Sequence, residues 1–162
     1  MTAHFTDHVA LLLFLWVPGN QAGLPVPVGP PLLAAGAMAH SNRELMTILA
    51  VGVGAALCAD VAWYCVGRWH GVRALGPLRR RSTWAGAWID RVANLSRAHE
   101  VFLLMGARFL PELNPLAAGL AGATRATLAR FLSCAAGTAL IWAGIWTGVG
   151  YVLGAAIAGL SP

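Results

Sequence analysis

Arg108, Glu112 and Asn114 fall within seven residues of one another, interleaved with Pro111 and Pro115, in a stretch that is otherwise largely apolar. An arginine there presents a planar fork that can bond two oxygens of one carboxylate or phosphate. At membrane depth it costs about 2.5–3.5 kcal/mol on insertion scales unless it is paired or hydrated. Its candidate partners are Glu112, Asp60 and a bound anion. The plainer alternatives are a fixed ion pair with Glu112 and an arginine that stretches out to the membrane surface. Glu112 could carry a proton in that setting, or stay ionised beside Arg108. Asp60 is the one charge in the apolar run at 45–67. It should face the interior of a bundle, as a partner of Arg108 or as part of a polar path, or else reach the headgroups from near a helix end.

Other chemistry finds little support. The five histidines, at 4, 8, 40, 70 and 99, make no ligand pair within an apolar run. Cys58, Cys65 and Cys134 form no CxxC pair and read as small buried hydrophobes. No serine sits in a nucleophile elbow and no glycine-rich phosphate loop is present. These absences predict no metal, no cofactor and no enzyme activity.

The elements that must hold these residues are membrane elements. The chain has 162 residues, enough for one domain; 58% are hydrophobic and only 10% charged, against about 25% charged in a soluble domain. That leaves too little polar surface to face water all round. The net charge of +5 comes with arginines placed between apolar spans. The positive-inside rule accounts for that placement better than nucleic-acid binding does.

The first apolar piece, 8–17, is too short to span a core of about 30 Å. It begins without a basic n-region, so it reads as part of the mature protein rather than a cleaved signal. Five prolines follow between 18 and 31, Pro25 and Pro27 among them, and then a second short apolar piece at 32–39. Two half-length pieces around such a break suggest a re-entrant segment, tolerated where protein or a water-filled cavity surrounds it. The run at 45–67 is long enough to span. Residues 68–99 hold seven of the eleven arginines, which places them on the cytoplasmic side. Within them Trp84, Trp88, Val92 and Leu95 recur at helical spacing, so 83–98 is expected as an amphipathic surface helix. Residues 101–122 break again at Pro111 and Pro115, and 131–160 form one long helix or a bent one.

The two broken segments resemble each other. Leu24-Pro25 leads to Pro31 and then to Ala34-Ala35-Gly36; Leu110-Pro111 leads to Pro115 and then to Ala117-Ala118-Gly119. A re-entrant segment returns to its own side, so one spanning helix per half makes the halves inverted, a common transporter plan. The expected fold is an all-α integral membrane protein, one domain over 1–162. Repeat 1 covers about 10–67, the basic linker with its surface helix 68–99, and repeat 2 about 101–160.

The run from Gly106 through Arg108, Pro111, Asn114 and Gly119 to Gly122 resembles the signature of the DedA family, also called SNARE-associated or VTT-domain proteins. Asn20, Pro25, Pro27 and Gly36 resemble its first re-entrant segment. Asp60, Tyr64, Gly67, Arg68 and Gly71 resemble its second span, and Arg130-Phe131, Trp142 and Gly150–Gly154 its closing span. The likeness covers roughly residues 10–155, and the Leu-Asn-Pro form of the second motif is similar to one subgroup. It departs where the family carries acids at the positions of Asn20 and Pro30, and a second arginine at Asn114.

The resemblance implies a multi-pass protein of the cell (inner or plasma) membrane that moves a polyprenyl phosphate or another anionic lipid between leaflets. Arg108, Asn114 and Asn20 would then bind the substrate, and Glu112 and Asp60 would be candidates for proton or ion coupling. The expected partner is that anionic lipid, with a homo-oligomer left open and nucleic acid excluded. The alternatives are a non-transporting assembly or homeostasis protein and a proton-linked exporter of small molecules.

Overall fold

The structure is a computed structural model that describes residues 11–16, 19, 29–76, 106 and 114–160. Asn20, Pro25, Pro27, the surface helix at 83–98, Arg108, Pro111 and Glu112 lie outside the described residues. Among the described residues the chain is helical, with no strand. Four helices carry the fold: α1 (Gly29–Ala37), α2 (Asn42–His70), α3 (Asn114–Ala123) and α4 (Leu128–Leu160). A short 3₁₀ helix, Gly71–Leu75, follows α2.

Two helices are long and two are short. With 29 and 33 residues, α2 and α4 each exceed a hydrocarbon core of about 30 Å. Both are long and apolar enough to cross a membrane. α1 has 9 residues and α3 has 10, about 15 Å at most, so neither can span alone. Their prolines sit in the first helical turn, Pro30 and Pro31 in α1 and Pro115 in α3, where a missing N–H costs nothing. Every residue of α3 from Asn114 to Gly122 is buried, so protein rather than lipid surrounds this short helix.

The span expected at 45–67 extends further at both ends, because the flanking residues cap it. Ser41 stands at the N-cap and its hydroxyl accepts from the N–H of Glu44 at 3.2 Å. Glu44 reaches back to accept from the N–H of His40 at 2.8 Å, a capping box with a one-residue overreach. At the other end Gly71, at φ 65°, ψ −164°, takes a conformation that side chains avoid, and its N–H bonds the Gly67 carbonyl. The last run is one continuous helix.

The turn between α3 and α4 is a Schellman closure: the N–H of Ala126 bonds the Ala121 carbonyl, and that of Arg125 bonds the Gly122 carbonyl. The residue in the left-handed position is Arg125, at φ 59°, where glycine is usual. The Tyr64 hydroxyl donates to the Ala126 carbonyl, and the Tyr64 ring stacks on Phe131 with centroids 4.7 Å apart. These two contacts pin the turn to α2.

The short helices pack crosswise, α1 against α4 and α3 against α2, while α2 and α4 also meet. Glycines set both crosswise interfaces. A Cβ on Gly36 would strike the Thr147 carbonyl, and one on Gly150 would strike the Leu33 carbonyl. In the other interface a Cβ on Gly122 would strike the Tyr64 carbonyl, and one on Gly67 the Gly119 carbonyl. In every case the carbonyl belongs to the residue three before the partner helix's own glycine. The two clasps are therefore reciprocal and equivalent, and Gly36 corresponds to Gly122. The sequence match had paired Gly36 with Gly119, one helical turn away.

Among the described residues two apolar clusters fill the space between. One joins Leu32, Ile48, Ala55, Ala139 and Ala143 from α1, α2 and α4. The other joins Tyr64, Ala118, Ala121, Phe131 and Ala135 from α2, α3 and α4. The outer face of α4 leaves Leu140, Ile141, Ile145, Val149, Val152 and Ile157 exposed, a face that suits lipid. The cysteines are not all interior: Cys58 is exposed, and Cys65 and Cys134 are half-buried. Cysteine is weakly polar and small, so a lipid-facing position suits it as well as the core.

Candidate functional site

The fold brings together two of the sequence-predicted residues, Asp60 and Asn114, which stand 54 positions apart. Asp60 lies well inside α2 and is 2% exposed; Asn114 opens α3 and is 8% exposed. The Asn114 amide donates from Nδ2 to Oδ1 of Asp60 at 3.1 Å. An ionised carboxylate only accepts, so the amide must turn its nitrogen towards Asp60. Asn114 is not the sole partner of Asp60. The carboxylate also stands beside the N-terminal end of α3, where the helix dipole favours negative charge.

The clasp of Gly67 and Gly122 makes this pair possible. Two backbones in contact let a short aspartate reach a short asparagine across the interface, which larger residues would hold apart. Asp60 is thus an interior acid rather than one reaching for the headgroups.

Beside the pair lies a cavity of about 20 Å³, room for roughly one water. Asp60, Asn114, Ala117 and Ala118 line it from α2 and α3, and Phe131, Cys134, Ala135 and Thr138 from α4. Sequence reading singled out neither Cys134 nor Thr138 for this place. Thr138 is 5% exposed and donates to the carbonyls of Cys134 and Ala135, each at 3.0 Å. A hydroxyl satisfied within its own helix leaves no mark in an apolar run, beyond being a polar residue where none is needed.

The other candidate residues divide. Pro115 is buried in the first turn of α3. Asn20, Pro25, Pro27, Arg108, Pro111 and Glu112 lie outside the described residues. Among the described residues no three His, Cys, Asp or Glu side chains gather as a metal site.

A buried carboxylate, an amide and a hydroxyl around a water-sized space can hold a small polar group or exchange a proton. The equivalent clasp of α1 and α4 has no such pair: the residue one turn before Thr147 is Ala143, as Asp60 is one turn before Tyr64. The polar centre is therefore built on one side of a nearly symmetric frame.

Comparison with known proteins agrees with a membrane bundle. The chain is similar to an uncharacterized membrane protein of Synechocystis, 26% identical over 143 residues, which cover 88% of this chain and 66% of that protein. No solved structure matches it. The VTT domain model matches residues 26–152, which include α1, α2 and α3 whole and all of α4 but its far end. With the crosswise helices and the matching span, the chain belongs to the VTT-domain (DedA) family of membrane proteins.

Proposed function

We propose that this chain is a multi-pass transporter of the cell membrane that moves an anionic lipid, a polyprenyl phosphate foremost, from one leaflet to the other. The observation that carries this reading is the buried Asp60–Asn114 pair beside a small cavity, between helices long and apolar enough to span and helices too short to span. A chain that had only to sit in the membrane would fill that space with apolar side chains, because buried polar groups are expensive there.

The two short helices are the inner arms of re-entrant segments, and the halves are inverted. The reciprocal glycine clasps support this, since each half lends its short helix to the other half's long one. Arg108 binds the lipid phosphate through its fork, with Asn114 and Asn20 as further donors. Asn114 already donates to Asp60, so the phosphate and the Asp60 carboxylate compete for one amide. A proton on Asp60 weakens its hold on Asn114 and frees that donor. Proton uptake and phosphate binding are thereby linked, with Glu112 as a second candidate carrier. No covalent chemistry is needed.

The test is translocation of a chemically accessible polyprenyl phosphate by the purified protein in liposomes. The wild type moves it; Arg108→Ala does not, and Glu112→Gln changes the pH dependence before it changes binding. A well-folded wild type that moves none of several anionic lipids, with or without a pH gradient, would overturn the reading and leave an assembly role.

A further inference from the structure

We infer that the end of the molecule where α2 finishes and α3 turns into α4 is a docking face for anionic phospholipid, with Arg68, Arg73 and Arg125 binding the headgroup phosphates. This face is separate from the Asp60 centre and does not depend on the transport reading.

Packing gathers the three arginines from distant parts of the chain. α2 and α3 run in the same direction: Asn114 meets Asp60, and further along both helices Gly122 meets Tyr64 and Arg68. A Cβ on Gly122 would lie 2.9 Å from the Arg68 backbone nitrogen. Arg125 follows in the Schellman turn, its N–H bonded to the Gly122 carbonyl. Arg73 is carried by the 3₁₀ helix, which packs against α3. All three arginines are exposed. At the opposite end of α2, Arg43 stands next to Glu44, and Glu44 also pairs with His40.

The protein's own charges do not answer this set. Among the described residues Arg68, Arg73 and Arg125 make no ion pair. Arg130, in the first turn of α4, adds charge here but is already engaged. Residues 68–130 hold ten arginines and three acids, Asp90, Glu100 and Glu112. A positive surplus therefore remains wherever those acids stand. Helix dipoles offset little of it, since two C-termini and one N-terminus meet here, about half a negative charge in all.

The depth of this end selects lipid over water as the neighbour. α2 has 29 residues, about 43 Å, which matches a bilayer of about 40–45 Å with its headgroups. Its last turn thus lies at headgroup level. Trp69, beside Arg68, is 77% exposed, as suits an indole in that layer. Arginine forks there can each take two phosphate oxygens, and the surplus of charge favours lipids of net negative charge over zwitterionic ones. Arg125 holds a left-handed backbone at φ 59°, where glycine would serve the turn at less cost.

The test uses the full chain in phosphatidylcholine vesicles that carry a trace of spin-labelled phosphatidylglycerol or spin-labelled phosphatidylcholine. Electron paramagnetic resonance reads the fraction of each label that the protein restrains. The wild type restrains phosphatidylglycerol in preference, and the preference shrinks as salt rises. Arg68→Gln, Arg73→Gln and Arg125→Gln each weaken it by up to about fivefold. The triple glutamine variant restrains both labels alike, and the triple lysine variant, which keeps the charge, regains the preference. Arg43→Gln, at the other end of α2, leaves it intact. A wild type without preference, or a triple glutamine variant that keeps it in full, overturns the inference. So does a preference that vanishes in Arg108→Ala but survives the triple variant, since the lipid then belongs to the transport site. Inorganic phosphate at fixed ionic strength should not displace the lipid; displacement would make the ligand a free anion and overturn the lipid assignment.

Discussion

At the scale of single residues the candidate site rests on a bond between Asp60 and Asn114 that neither residue announces by itself. The sequence marks Asp60 as costly, since a charge inside a span must be answered. It names Arg108 as a possible partner. It does not show that an asparagine 54 positions on is the group that arrives, because that depends on how closely two helices approach. Thr138 is less visible still, as its hydroxyl is satisfied inside α4. Asn114→Ala should lower thermal stability by about 1–3 kcal/mol, the cost of withdrawing a partner from a buried polar group. Asp60→Asn/Asn114→Ala should cost less than Asn114→Ala alone, because no buried charge then lacks that donor. Melting in detergent micelles checks both, and equal losses would mean that the amide does little for the carboxylate. Tyr64→Phe should cost about 1 kcal/mol through the lost bond to Ala126.

At the scale of elements much was legible. Apolar length exposes α2 and α4, and prolines expose the two short helices by forbidding anything longer. The ends were less legible, since capping depends on local bonds such as those of Ser41 and Glu44 rather than on hydropathy. The continuity of α4 was open because its many glycines suggested a bend; in a membrane helix they can serve packing instead. The Schellman turn gives a sharp element-level prediction. Arg125 pays for a left-handed backbone that glycine takes freely. Arg125→Gly should therefore stabilise the fold by about 1 kcal/mol, read as a higher melting temperature. A drop would show that the arginine side chain matters more than its backbone. The surface helix expected at 83–98 lies outside the described residues, and its composition alone argues for it.

At the scale of the whole molecule the glycine clasps are the main finding. The repeat is legible in sequence as two Ala-Ala-Gly strings, but its register is not. The string pairs Gly36 with Gly119, whereas the packing pairs Gly36 with Gly122, because what recurs is a contact between backbones and not a string of letters. Gly67→Ala, Gly122→Ala, Gly36→Ala and Gly150→Ala should each destabilise by at least about 1–3 kcal/mol, since a carbonyl stands where the methyl would go. Gly137→Ala and Gly144→Ala meet open space and should be close to neutral. Melting temperatures of the two sets separate the cases, and similar losses in both would mean that the clasps are not what holds the halves. Because each clasp joins helices from different halves, a chain cut between them would need both fragments to fold.

The central claim is that the Asp60 centre governs movement of a lipid phosphate across the membrane. Its most direct test is polyprenyl-phosphate translocation in liposomes by the wild type and by Asp60→Asn, over a range of pH. Flux should depend on pH in the wild type and lose that dependence in Asp60→Asn. A variant that keeps the wild-type rate and pH profile would contradict it, as would a folded wild type that moves no lipid at all.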